Sequence, residues 1–337
     1  MRILLIRCMG LGDVASILAP AVSIYKNHYS TAVITTLTYE AGAEIMQLHP
    51  EVDDVITIKK EDWPDDLVPA LDMFMRLAQF IAAKNFDLVV NLDTWFMPCF
   101  LTQILRDAGV TAIGNHLNQG AEKLFSRALT HQLSQDYFDF PSNYMDSTFP
   151  NMTEWSCPWW TRYSEISYPE FYLRFCCGFD DYPALRLPCE ADTDLLKRAD
   201  GRPIVAISTR GRSDYKQYRY SDELIQTLND KGIFCWSEFD GSVTIKVTLN
   251  RLHSSKLIVT VPTSTQWLGR LAGCPSLMLP GPMPPSLLGA EFYPPRQTSC
   301  QYCGHEKQCP ERRNFDCMDI SPNIIANNVV NILAQNF

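Results

Sequence analysis

The sequence predicts an α/β protein built from two units, each a parallel sheet covered on both faces by helices. Three observations carry that expectation. The chain has 337 residues, more than one core comfortably fills and enough for two of about 150 residues each. Short apolar runs such as Ile3–Ile6, Phe86–Leu92 and Ile204–Ser208 have the length and content of buried strands. These runs alternate with stretches of helical periodicity, and strand–helix alternation means parallel strands joined by crossovers.

The elements follow in order. After Ile3–Ile6 comes a tight glycine loop, Cys8-Met9-Gly10-Leu11-Gly12-Asp13. Val14, Ile17, Leu18, Ala21, Val22 and Tyr25 then recur on one helical face, with Pro20 expected to kink the helix. Strands are predicted over 32–37, 52–58 and 86–92, and helices over 41–48 and 67–84. Residues 137–172 are rich in aromatics and prolines and predict an irregular lobe. Its rings are either an aromatic core under a loop or a wall of an acceptor pocket, since flat rings stack on apolar faces. A polar connection over 180–200 leads to the second unit, with strands at 204–208, 233–236, 257–261 and 276–279. There Ser221 is expected to cap a helix that Gly232 stops, and 322–333 forms the last helix. The expected domains are 1–185 and 186–322, with a C-terminal helix over 323–337. The layout is Rossmann-like in both halves, with ligands expected in a cleft beyond the carboxyl ends of the strands.

Hydrophobic residues make up 46% and charged residues 20%, which excludes a disordered or collagen-like chain. Acidic residues outnumber basic ones, 38 to 29, for a net charge of −9. That field repels phosphate backbones and argues against nucleic acid as a partner. No run of 18 apolar residues suggests a transmembrane segment. The first apolar run is four residues between Arg2 and Arg7, too short for a secretory signal. A cytoplasmic location is therefore expected, with reduced thiols.

Twelve cysteines then need a reason other than disulfides. Cys8, Cys99, Cys157, Cys176, Cys177, Cys189, Cys235 and Cys274 are scattered and read as small core hydrophobes. Cys300, Cys303, Cys309 and Cys317 lie within 18 residues and include one C-x2-C pair. That spacing in a reducing compartment points to one tetrahedral metal ion, iron or zinc, with free thiols and disulfides as the other readings. Four thiolates leave no open coordination position, so such a metal would be structural.

Three further groups carry chemistry. Gly10 and Gly12 allow a close backbone approach, and Asp13 after them is either a helix cap or a general base. Asp93, at the end of another strand, is a reserve candidate for the base. Ser208-Thr209-Arg210-Gly211-Arg212-Ser213-Asp214-Tyr215-Lys216 follows a strand and precedes a helix; it is either a diphosphate site or a solvated polar loop. Thr263, Ser264 and Thr265 begin the next helix, where amides and hydroxyls could meet phosphate. A nicotinamide site is a poor fit, because Gly10-Leu11-Gly12 lacks the third glycine, with Ala15 in its place.

The order of these motifs resembles glycosyltransferase family 9, the ADP-heptose heptosyltransferases, along nearly the whole chain. The resemblance rests on Ile3–Arg7 with Gly12-Asp13-Val14, on His49-Pro50-Glu51-Val52-Asp53-Asp54-Val55-Ile56, on Phe86–Leu92 and on Ala112-Ile113-Gly114. Lys216-Gln217-Tyr218, Leu271-Ala272-Gly273-Cys274-Pro275, Gly281-Pro282 and the cysteines followed by Asp319-Ile320-Ser321-Pro322 continue it. The resemblance implies two facing Rossmann-like domains (the GT-B arrangement) and an inverting transfer from a nucleotide-diphosphate sugar without a catalytic metal. It makes Asp13 the base beside Gly12, and it makes Lys216 the phosphate contact, helped by Ser208 and Thr209. The implied donor is ADP-heptose, and the implied acceptor is lipopolysaccharide core or a protein hydroxyl. A catalytically inactive nucleotide-sugar-binding or scaffold protein is the alternative, and oligomerisation is left open. Many members carry Asp-Thr-Gly-x-x-His where this chain has Pro262-Thr263-Ser264-Thr265-Gln266-Trp267. Pro followed five residues later by Trp-Leu is instead similar to the branch that glycosylates autotransporter proteins. The stretch from Trp236 to Arg251 reads as too brief for the family's usual helix.

Overall fold

A computed structural model describes residues 1–59, 67–156, 165–305, 309 and 314–336. Cys157 and part of the aromatic lobe lie outside the described residues. The chain divides into two compact units, Met1–Trp159 with Pro169–Ala184, and Trp160–Tyr168 with Leu185–Phe337.

The first unit holds a six-stranded sheet of β1 (Arg2–Ile6), β2 (Val33–Tyr39), β3 (Asp54–Ile58), β4 (Leu88–Asn91), β5 (Ala112–Leu117) and β6 (Met145–Ser147). Their order is β3-β2-β1-β4-β5-β6. Ile3 registers with Ile34 on one side and Leu88 on the other. Ile3 to Ile6 have no exposed surface, as a strand covered on both faces requires. The first five strands are parallel, but β6 runs antiparallel to β5. The lobe predicted to be irregular therefore supplies an edge strand. The lobe's rings also fill the core. Tyr144 is buried and meets Phe96 edge-on at 5.2 Å, as Phe138 does at 4.8 Å.

Gly114 adopts φ +89° in the middle of β5, and a β-carbon there would collide with the Asn91 carbonyl oxygen. Only glycine fits that crossing of strands. The helix after β1 differs from expectation. It opens as one turn, Leu11–Asp13, passes through a π-helical turn, Val14–Leu18, and continues as Ala19–His28. Pro20 is the second residue of that last segment, directly after the π-helical turn, where the regular i→i−4 ladder is already interrupted.

The second unit holds β7 (Ile204–Ser208), β8 (Phe234–Trp236), β9 (Leu257–Thr260) and β10 (Ser276–Met278), all parallel, in the order β10-β9-β7-β8. Helices Ser221–Asp230 and Pro322–Asn336 cover one core made of Val205, Ile207, Leu224, Leu228, Val259 and Ile325 among others. Ser221 is the first residue of its helix rather than the cap, which is Tyr220. The stretch from Trp236 to Arg251, expected to be too brief for the family's usual helix, carries most of a short nine-residue one, Ile245–His253, with Thr244 Oγ1 accepting from the Val247 N–H.

Candidate functional site

In each sheet the strand order reverses at one place, and ligands of such sheets bind there, beyond the carboxyl ends of the strands. In the first unit the reversal lies between β1 and β4. Arg7 and Asp13 follow β1, and Asp93 follows β4. Asp13 is in the first helical turn, makes no side-chain cap and has Gly10 as its N-cap residue. Its Oδ1 instead accepts from Arg7 Nη2 at 2.5 Å. Arg7 is 1% exposed against 30% for Asp13. The Arg7 guanidinium also donates to the Leu92 carbonyl and lies 5.0 Å from the Tyr172 ring centre. It thus fixes one oxygen of a carboxylate that remains open to solvent. Gly12 is half-buried, and its carbonyl accepts from Ser16 Oγ at 2.7 Å.

Asp93 serves the loop. It is fully buried, and its carboxylate accepts from the backbone N–H of Cys8 at 2.6 Å, Met9 at 3.0 Å and Trp95 at 3.2 Å. Burial holds its carboxyl above the usual carboxylate value, while Arg7 and the amides pull it down. A carboxylate so enclosed anchors the turn that carries Asp13. Arg7 was not foreseen as a site residue. Its signal was a basic side chain directly after a fully apolar strand.

In the second unit the reversal lies between β7 and β9. Ser208, the last residue of β7, meets Thr265 Oγ1 at 2.8 Å. Thr265 Oγ1 is in turn 2.7 Å from Thr263 Oγ1 and 3.3 Å from Thr260 Oγ1. These hydroxyls gather at the start of the helix Ser264–Ala272, whose N-cap residue Thr263 makes no side-chain cap. Ser264 opens that helix and is half-buried. The N-terminal amides and dipole of a nine-residue helix favour an anion.

Lys216 is carried on a hairpin that packs against Thr263. The Gly211 N–H donates to the Lys216 carbonyl at 2.7 Å, and Arg210 and Gln217 form an antiparallel bridge. A β-carbon on Gly211 would stand 2.6 Å from Lys216 Cβ and 3.1 Å from Thr263 Cγ2. Glycine there lets the hairpin close against the hydroxyl cluster. Thr209 is not part of that cluster. Its hydroxyl is buried against Ser221 Oγ at 2.6 Å, and Ser221 donates to the Tyr218 carbonyl. It ties the hairpin to the next helix instead.

Of the scattered cysteines expected in the core, Cys189 and Cys235 are only half-buried. Cys8, Cys99, Cys176, Cys177 and Cys274 are buried free thiols. Cys300, Cys303, Cys309 and Cys317 are also free. They line one small cavity of about 10 Å³ with Pro282, His305, Phe315 and Asp316. Among the described residues no group of three or more ligating side chains is closed tightly enough to hold a metal ion. The donor set nevertheless suits one. Burial, then Cys303, Cys300 and Cys309, push the Cys317 thiol up to about 12. Thiols that oppose one another's ionisation in this way are the groups a soft cation stabilises together.

No family model and no curated protein sequence matches the chain. Solved structures do. A glycosyltransferase of family 9 from Veillonella parvula DSM 2008 is 14% identical with a TM-score of 0.66, the match covering 99% of this chain and 98% of that one. The E. coli heptosyltransferase WaaC with ADP is 15% identical with a TM-score of 0.59, covering 98% and 100%. The iron-containing dodecameric glycosyltransferase TibC from enterotoxigenic E. coli H10407 is 14% identical with a TM-score of 0.56, covering 99% and 76%. No helix among the described residues is long and apolar enough to cross a membrane. The chain therefore has the fold of the family 9 heptosyltransferases.

Proposed function

We propose that the protein is an inverting glycosyltransferase that takes a sugar, a heptose, from a nucleotide-diphosphate donor, ADP-heptose, and places it on an acceptor hydroxyl. The observation that carries this reading is that the Ser208, Thr263 and Thr265 hydroxyls gather at a helix N-terminus at the strand reversal of the second unit, with the hairpin that carries Lys216 closing on Thr263 at Gly211. A leaving diphosphate gains negative charge as its bond to the sugar breaks. The Lys216 ammonium, brought against that diphosphate, would stabilise the charge where it develops, together with the helix amides and hydroxyls.

The other half of the reaction needs a base. As the acceptor oxygen attacks the anomeric carbon, the Asp13 carboxylate takes its proton, and the carbon–oxygen bond to the diphosphate breaks on the opposite face. Arg7 holds one Asp13 oxygen, which aims the other. The four cysteines would hold one structural iron or zinc ion, which would supply a cross-link within the segment that carries them. The fold shared with WaaC and with iron-containing TibC supports these readings. The acceptor class is a glycolipid core or a protein hydroxyl in the cytoplasm.

Calorimetric titration of a panel of nucleoside diphosphates and their sugars tests the proposal. ADP and ADP-heptose should bind with one site per chain, and uridine and guanosine counterparts more weakly. Absence of binding by every member would leave a scaffold protein with this fold.

A further inference from the structure

The hairpin that carries Lys216 does not stand alone. Lys216 Nζ lies 5.0 Å from the centre of the Tyr215 ring, and that buried ring packs against Phe315, 6.0 Å between centres. Phe315 is two residues before Cys317. The next tyrosines of the hairpin reach the same segment. Tyr218 Oη donates to the Ile320 carbonyl at 2.7 Å, and Tyr220 Oη donates to Asp319 Oδ1 at 2.7 Å. Arg219 forms an ion pair with Asp319. Gly281 sits where the two stretches meet: a β-carbon there would stand 3.0 Å from Met318 Sδ and 3.2 Å from the Tyr215 carbonyl oxygen. Every residue from Tyr215 to Tyr220 with an aromatic ring thus leans on residues 315–320.

Phe315 itself is held at φ +60° and follows Asn314 at φ +46°. A bulky side chain rarely adopts that left-handed conformation, and it persists only where its surroundings enforce it. The Met318 N–H donates to the Phe315 carbonyl at 2.8 Å, and Cys317 between them lines one cavity with the other three thiols, so a ligand that holds Cys317 also restrains the turn that sets Phe315 against Tyr215.

We infer that residues 315–320 couple the four-thiol site to the phosphate pocket, with Phe315 and Tyr215 as positioning residues for the Lys216 ammonium. Metal held by the thiols then tightens nucleotide-diphosphate binding. Because coupling between two ligands is reciprocal, bound nucleotide tightens the metal by the same factor. This inference rests on the reading of Lys216 as a donor contact, and its test separates the two.

The test uses the full chain loaded with zinc, with ADP as the nucleotide probe. ADP affinity is measured before and after zinc is stripped, and zinc affinity is measured with a chromogenic chelator with and without saturating ADP. Stripping should weaken ADP about five-fold or more, within the usual range of coupling, and ADP should raise zinc affinity by the same factor. Phe315→Leu keeps all four thiols. It should retain one zinc per chain, bind ADP more weakly when loaded, and lose most of the response to stripping. Tyr215→Leu offers the same readout should the Phe315 variant fail to fold. Equal ADP affinity in loaded and stripped protein, with Lys216→Ala still weakening ADP, overturns the coupling alone. If Lys216→Ala leaves ADP affinity unchanged, the donor-site reading falls and takes the coupling with it.

Discussion

Replacing Arg7 by methionine removes a buried charge while roughly keeping the side chain's length. Three partners lose their contact: the Asp13 carboxylate at 2.5 Å, the Leu92 carbonyl and the face of the Tyr172 ring. Breaking a buried ion pair costs about 3–5 kcal/mol, because the remaining charge stays unpaired. Asp13 is 30% exposed and can recover water, so the loss should fall near the lower end, about 3 kcal/mol. For a unit of this size that lowers Tm by about 6–12 °C. The loss should also depend on pH. Asp93 is fully buried with its carboxyl raised by that burial, and Arg7 is among the groups that restrain the rise. A carboxyl raised in the folded state contributes stability that is full below its unfolded pKa and lost as pH rises through its folded pKa. Without Arg7 the folded value climbs further, so the variant loses more than the wild type as pH increases. At low pH the protonated Asp93 has less need of Arg7. Thermal unfolding at pH 4.5 and pH 8 should therefore give a larger gap between the two proteins at pH 8. A total loss under about 1 kcal/mol, or a gap no larger at pH 8 than at pH 4.5, would refute the reasoning.

In the second unit, Lys216→Ala should weaken ADP by about 1.5–3 kcal/mol in calorimetry, the worth of a charge-assisted contact. Lys216→Arg should recover part of it, since a planar fork replaces a point charge; unchanged affinity in the alanine variant would make the hairpin a solvated loop. Gly114→Ala should destabilise the protein by more than about 2 kcal/mol in denaturant unfolding, because φ +89° and the Asn91 carbonyl both exclude a β-carbon. Wild-type stability there would contradict the packing of β5 on β4. The double variant Cys300→Ser, Cys303→Ser should lose the metal as read by elemental analysis, and stoichiometric metal in it would remove these thiols from the ligand set.

Much of the scaffold is written in local pattern. The apolar runs that became β1, β4 and β7 are short and bounded, and their alternation with helical periodicity specifies parallel pairing. The helix stop at Gly232, φ +77°, is likewise legible. What escaped is non-local. Whether Asp13 caps a helix depends on where that helix begins, and Gly10 takes the cap while Arg7 takes the carboxylate. Thr209 and Ser208 are adjacent in sequence, yet strand alternation sends their hydroxyls to different partners. Pro20 announces a break in the regular helix, but not that the break takes the form of a π-helical turn before the proline. The antiparallel β6 follows a connection of 27 residues from β5, and no local signal announces such a return. The leaning of Tyr215 on Phe315 spans a hundred residues and depends on the closed second unit.

The central claim is glycosyl transfer with Asp13 as base, and transfer of a labelled sugar tests it most directly. Radiolabelled ADP-heptose is incubated with purified protein and a fractionated cell extract, and incorporation into lipid and protein fractions is followed over time. The wild type should label one class of acceptor. Asp13→Asn keeps the shape of the side chain but accepts no proton, so its rate should fall by roughly 10²–10⁴-fold while ADP affinity holds. Transfer by Asp13→Asn at a near-normal rate, or no transfer by a wild type that binds the donor, would contradict the account.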